Sequence, residues 1–260
     1  MITYLKKDLS KLFNIGDSLC TPDNYFDIKS EKNFRIIGGG VWNIEKYGID
    51  ENAQNTILWA AGKSIKEFNK IRAIDTSSFR YADWSIRDLD LLDDKTKFVP
   101  CVSCLNTDVI SEPIGNKTLV FTNANTTVSP DIKITESEDI VVMKNDETYS
   151  SFIEKWKHCD KIITNSYHGI YWSMLSGRAV APYGYSSKFT SVTRLFNIEF
   201  PKENLYNLKA QEVFNYMIKR NQNYVSIKNY NKTHVNFCDI NFEYAKKLSK
   251  IGIKCDIKTT

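Results

Sequence analysis

Short apolar runs closed by Gly, Asn, Asp or Pro recur along the chain. "FRIIGGG" (34–40), "NTILWAAG" (55–62) and "KTKFVPC" (95–101) are three of them. "NKTLVFTNAN" (116–125), "DIVVM" (139–143), "CDKIITNS" (159–166) and "GRAVAPYG" (177–184) are four more. Each has the length of a strand, and their near-continuous apolar character predicts strands covered on both faces. Helical spacing lies between and after them. Phe152 and Trp156 stand at i, i+4 in "YSSFIEKWKHC" (149–159), and "GIYWSMLSG" (169–177) ends in the helix-stopping Gly177. Helical patterns also cover 208–221, with Val213, Met217 and Ile218 on one face, and 239–250. Strands alternating with helices predict an α/β protein with parallel sheets. The polar stretch "LNTDVISEPIGN" (105–116), with Pro113 and Gly115, predicts a linker. Two Rossmann-like domains facing a cleft are therefore expected: 1–108, and 109–260 with the last helix packing back on the first domain.

Composition narrows the class. Apolar residues make up 42% and charged residues 25%, ordinary for a globular chain and too apolar for disorder. No apolar run reaches the roughly 18–20 residues of a membrane span. The start "MITYLKKDLS" lacks the order of a signal peptide, so a cytoplasmic protein is expected. The six cysteines (Cys20, Cys101, Cys104, Cys159, Cys238, Cys255) read as thiols. Cys101 and Cys104 form a C-x-x-C, but no second such pair supplies the rest of a zinc site, so no metal is expected. The net charge of +4 is uneven, since residues 201–260 hold 11 Lys/Arg against 5 Asp/Glu. A basic end suits peripheral contact with an anionic membrane face, although a solvated helix surface accounts for it as well. No nucleic-acid motif accompanies it, so no nucleic-acid partner is expected.

In open α/β sheets ligands bind beyond the carboxyl ends of the strands, and three segments fall at such positions. "NIGDSL" (14–19) holds Asn14, Gly16 and Asp17, the aspartate also suiting a helix N-cap. Gly38, Gly39 and Gly40 either admit a ligand close to the backbone or make a tight turn. In "IITNSYHGIYWSMLSGRAV" a strand, a polar turn and a helix start put Asn165, Ser166, His168 and the Gly169 amide at a helix N-terminus, which attracts anions. A histidine there can bind phosphate or move a proton near neutral pH. Lys188 in "YGYSSKF" and Arg87 in "SIRD" add cations suited to a ligand carrying phosphate and carboxylate.

"NIGD", "GGG", "WAAG", "SIRD", "VPCVSC", "IITNSYHGIYWSMLSGR" and "SSKF", in that order over residues 14–190, resemble the polysaccharide pyruvyl transferase family. The resemblance implies a fold like the two-domain GT-B glycosyltransferases. It also implies transfer of pyruvate from phosphoenolpyruvate to two hydroxyls of a sugar, giving a ketal and phosphate without a metal or organic cofactor. The acceptor would belong to a cell-surface polysaccharide or its lipid-linked precursor, handled at the inner membrane face. By this resemblance His168 stands near phosphoenolpyruvate, Arg87 and Lys188 hold its anionic groups, and Asp17 faces the acceptor, with acid and base unassigned between His168 and Asp17. Some members carry an arginine two residues before the histidine, where this chain has Ser166. A GT-B glycosyltransferase using a nucleotide sugar and a non-catalytic sugar-binding subunit are the alternatives.

Overall fold

The computed structural model describes residues 1–5, 13–65, 72–124, 134–184, 186–199, 211–212, 215, 218 and 224–258. The helical pattern expected over 208–221, including Val213 and Met217, lies mostly outside them. In chain order the strands are β1 (Ile2–Leu5), β2 (Phe26–Ser30), β3 (Phe34–Gly38), β4 (Thr56–Ala61), β5 (Asp83–Ile86), β6 (Lys97–Phe98), β7 (Lys117–Thr122), β8 (Ile140–Lys144), β9 (Cys159–Thr164), β10 (Ala179–Pro182) and β11 (Ile253–Ile257). The helices are α1 (Ile15–Leu19), α2 (Ile44–Gly48), α3 (Thr107–Ile110), α4 (Tyr149–Lys157), α5 (Tyr167–Leu175), α6 (Ser187–Leu195) and α7 (Tyr230–Lys247). Two compact units divide the chain. One holds Met1–Asp8, Asp17–Asn106 and Val235–Thr260, and the other holds Leu9–Gly16 and Thr107–His234.

The first unit is built on a five-stranded parallel sheet of order β1-β3-β4-β5-β6. Alternate side chains of β3 and β4 leave on opposite faces, and both faces are covered. Ile36, Ile57 and Trp59 pack with Tyr244, Ala245 and Leu248 of α7 and its extension. Ile37, Leu58 and Ala61 pack with Ile44, Tyr81 and Leu91. Parallel strands buried on both faces carry the continuous apolar runs seen in the sequence. Several polar groups inside this packing are paired. Asn241 accepts from the Trp59 indole at 2.9 Å and donates to the Pro100 carbonyl at 3.2 Å, and the Tyr244 hydroxyl donates to the Leu58 carbonyl at 2.9 Å. An antiparallel pair, β2 with β11, adds to the expected parallel sheets. The α7 helix begins nine residues before the expected 239.

The second unit carries a four-stranded parallel sheet of order β10-β9-β7-β8. One face is aliphatic, with Val120, Ile163 and Ala181. The other meets aromatic rings of α4 and α5: Phe121 lies 5.7 Å from Phe152, which stacks on Trp156 at 5.3 Å and meets Trp172 at 5.4 Å. All nine residues of α5 are buried, so this helix has no polar face. The chain passes between the units at Asn106/Thr107, inside the linker expected at 105–116, and from Thr107 on the stretch is pinned to this unit. Val109 and Ile110 are buried in α3, and the Val109 carbonyl accepts from the Trp156 indole at 2.8 Å. The Ser111 carbonyl accepts from Arg178 at 2.7 Å. Its polar side chains disguised a segment held through its backbone.

Arg178 is buried with backbone carbonyls as its partners. Besides Ser111 it donates to Cys159 O at 2.9 Å and Trp156 O at 3.3 Å, and it lies 4.6 Å from the Trp156 ring. Burial pulls its pKa down to about 10. Arg178→Met leaves three carbonyls without their donor, and a loss of about 3 kcal/mol or more is expected in urea unfolding.

Candidate functional site

In the first unit the carboxyl ends of β3, β4 and β5 form one edge. The Gly39 amide donates to the Trp59 carbonyl at 2.9 Å and the Gly62 amide to the Gly40 carbonyl at 2.8 Å, so the glycine turn is stitched to the end of β4. Gly39 and Gly40 have φ of +42° and +66°, which only glycine adopts readily. The close approach at the first two glycines is made by this chain itself. A Cβ on Gly38 would lie 2.2 Å from Pro22 Cδ, and one on Gly39 would lie 2.0 Å from Cys20 Cβ. The segment after α1 thus packs against both glycines, which accounts for their lack of a side chain. Upstream, β4 shifts register between Leu58 and Ala61, and Ala60 sits at φ +52°. Ser85 bridges this break, accepting from the Ala60 amide at 3.0 Å and donating to the Leu58 carbonyl at 3.1 Å.

Arg87 follows β5 on this edge and is 2% exposed. A Cβ on Gly62 would meet Arg87 Nε at 2.7 Å, Asp88 Oδ2 at 3.0 Å and the Gly40 carbonyl at 3.0 Å. Arg87, Asp88, Gly40 and Gly62 therefore form one cluster. Asp88 also accepts from the Lys63 amide at 2.7 Å. The Arg87 guanidinium reaches Cys20 Sγ at 3.9 Å, and the Cys101 thiol donates to the same sulfur at 3.5 Å. Burial pushes the Cys20 thiol well above its usual pKa. Cys101 adds to that rise, Arg87 opposes it, and the Asp17 carboxylate raises it further. Asp17 lies inside α1, half-buried, and not at its N-cap.

In the second unit the sheet order reverses between β7 and β9: the chain leaves β7 for β8 on one side and enters β9 on the other. Such a reversal opens a crevice at the carboxyl ends, where α/β proteins bind ligands. Asparagines lie at these strand ends. Asn165 Oδ1 accepts from the Asn123 amide at 2.8 Å, and Asn145 Oδ1 accepts from the Ala124 amide at 2.8 Å. The Asn145 carbonyl accepts from the Ile15 amide at 2.7 Å, which brings the start of α1 to this edge. There Asn14 Oδ1 accepts from the Gly16 amide at 3.0 Å.

His168 is the second residue of α5 and is 5% exposed. Its ring lies 5.1 Å from Trp172 and 5.3 Å from Tyr167. A Cβ on Gly16 would stand 2.1 Å from His168 Nδ1, so glycine is needed there for the imidazole to fit. Ser166 is the α5 N-cap, its hydroxyl accepting from the Gly169 amide at 3.5 Å. The amide expected to face an anion is thus the one the cap engages. Gly169 lacks a side chain for another reason, since a Cβ would meet Thr164 Oγ1 at 2.5 Å. Lys188 lies on α6, its Nζ 5.2 Å from the Phe189 ring.

The structure thus brings together His168, Gly16, Asn14, Ser166, Gly169 and Asn165 in one unit, and Arg87 with Gly40 in the other. Asn123, Asn145, Gly62 and Asp88 complete these clusters. Gly62 and Asp88 close the motifs "WAAG" and "SIRD" without being named as site residues, while for Asn123 and Asn145 the signal was position, each just past the end of an apolar run.

No family model, curated protein or solved structure matches this chain.

Gly16→Ala should displace the imidazole and cost on the order of 1–3 kcal/mol, read from denaturant unfolding together with a shift of the His168 ring resonances. The thiol chemistry gives a second outcome. With its pKa raised, Cys20 should hold its proton at pH 9 in the folded protein and stay unalkylated by iodoacetamide, reacting promptly in urea. Rapid alkylation of Cys20 in the native chain would contradict its burial.

Proposed function

We propose that this chain is a ketal-forming pyruvyl transferase of the two-domain GT-B kind. It takes phosphoenolpyruvate as donor and a sugar of a cell-surface polysaccharide, or of its lipid-linked precursor, as acceptor. The observation that carries the reading is His168, a nearly buried imidazole on the helix leaving the β7/β9 reversal. Parallel sheets with polar carboxyl edges and the order of motifs from residue 14 to residue 190 support it.

The reaction needs a proton donor, a proton acceptor and cations around two anionic groups. A proton added to the methylene carbon of phosphoenolpyruvate makes it a methyl group, and a sugar hydroxyl bonds to C2. A second hydroxyl then bonds to C2 as the C–O bond to phosphate breaks. Two hydroxyl protons are released, one replacing the proton consumed and the other leaving with phosphate. In this proposal His168 and Asp17 exchange these protons, Arg87 and Lys188 hold phosphate and carboxylate, and no metal or organic cofactor takes part. Arg87 is the better placed of the two cations to act, because a guanidinium withdrawn from water binds an anion more strongly than an exposed ammonium.

Thermal-shift titration separates the donors. Phosphoenolpyruvate should raise the melting temperature in proportion to the logarithm of its concentration once above Kd. Arg87→Met should remove that shift. His168→Ala should retain much of it while abolishing acceptor-dependent phosphate release. Stabilisation by a nucleotide sugar and none by phosphoenolpyruvate would assign the chain to glycosyl transfer instead.

A further inference from the structure

Strand β4 is buried along its whole length, yet Ala60 within it lies at φ +52°. A residue with a side chain adopts that left-handed conformation only at a cost. The cause is one extra residue. Leu58 faces Trp84 and Ala61 faces Ile86, three steps along β4 against two along β5. On its other side β4 stays in step with β3, from Gly38 facing Trp59 to the bridge between Val41 and Gly62. The bulge therefore slides β4 against β5 and not against β3. It also inverts the alternation of side chains. Trp59 and Ala60 both turn into the core that holds Tyr244, and Ala61 rejoins Leu58 on the opposite face.

The slip decides where Arg87 stands. In the register that holds up to Leu58, Arg87 would come level with Ala61. After the slip its amide donates to the Ala61 carbonyl at 3.1 Å, and its side chain comes against Gly62, where a Cβ would lie 2.7 Å from Nε. The Gly62 amide in turn donates to the Gly40 carbonyl at 2.8 Å. Bulges beside functional sites re-aim side chains in this way, and a strained residue persists only where its surroundings hold it. Here a single hydroxyl spans the break. Ser85, fully buried, accepts from the Ala60 amide at 3.0 Å and donates to the Leu58 carbonyl at 3.1 Å. The Leu58 carbonyl has a second donor in the Tyr244 hydroxyl at 2.9 Å, so the bond to the Ala60 amide is the distinctive contribution of Ser85.

We infer that Ser85 is a positioning residue for Arg87. By holding the Ala60 turn it fixes the register in which the guanidinium meets Gly62 and the Gly40 turn. Its effect on a ligand passes through Arg87 and so rests on the reading of Arg87 as the cation that holds phosphoenolpyruvate. Its effect on the strand register does not.

Two measurements test this. Ser85→Ala takes the acceptor from the Ala60 amide and leaves the Leu58 carbonyl with Tyr244. Phosphoenolpyruvate should then bind about tenfold more weakly in thermal-shift titration, the factor one lost hydrogen bond supplies. Adding Ala60→Gly should restore most of that affinity, because glycine holds a positive φ unaided. Wild-type affinity in Ser85→Ala, or no recovery in the double variant, would overturn the inference. Native-state hydrogen exchange gives the ligand-free measurement. In Ser85→Ala the Gly62 and Arg87 amides should exchange roughly tenfold faster relative to the Ile36 amide of β3, and Ala60→Gly should reverse this. Equal acceleration at all three amides would reduce Ser85 to a support of the fold. If phosphoenolpyruvate binds neither wild type nor variants, the transferase reading fails, while exchange still decides the role of Ser85.

Discussion

Parallel strands cannot be joined by a tight turn, and that constraint organises the molecule. Each connection must cross a face of the sheet before the next strand begins. Both faces are then covered, as Ile36 and Ile37 show by packing into opposite cores of the first unit. Polar groups that cannot lie on either face collect at the strand ends. The carboxyl ends gain most, because successive connections start there. Gly38–Gly40, Arg87 and Asp88 gather at one such edge, and Asn123, Asn145, Asn165 and His168 at the other.

Crowding at these edges accounts for four of the glycines. At Gly16, Gly38, Gly39 and Gly169 the space a side chain would need is filled by His168, Pro22, Cys20 and Thr164 respectively. The block "TNSYHGIYWSMLSGR" accordingly divides by role. Ser166 caps α5, Gly169 and the helix interior pack, and Arg178 ties Ser111, Trp156 and Cys159 together through their carbonyls. His168 packs its ring between Tyr167 and Trp172, against the backbone at Gly16. The arginine of the block supports the fold, while Arg87, from a different motif, stands at a strand end.

Much of the fold was legible as pattern. The runs at 34–40, 55–62, 116–125, 159–166 and 177–184 each contain a strand, and Phe152 and Trp156 do share the buried side of α4. The shortfalls have physical causes. Strands β2 and β11 alternate charge with apolar residues over only five positions each, too short to stand out. The 105–116 stretch reads as polar because its side chains are, whereas its attachments run through the Val109 and Ser111 carbonyls. Asn145 and Asn123 could not be ranked above other asparagines, because the bonds that place them, Ala124 amide to Asn145 Oδ1 and Asn123 amide to Asn165 Oδ1, link residues 21 and 42 positions apart.

Local composition by itself determined most of the segments that become buried strands and helices, that the two larger sheets are parallel, and that glycine and polar residues end their strands. Those properties follow from side-chain apolarity and backbone preference, which act over a few residues. Tertiary structure alone decided strand order, and with it the reversal between β7 and β9 beside which His168 and Asn165 stand. It also decided that segment 19–22 occupies the faces of Gly38 and Gly39, and that residues 235–260 complete the first unit. These outcomes depend on contacts between distant residues, whose closure is driven by burial of the whole surface and is encoded in no single stretch of chain.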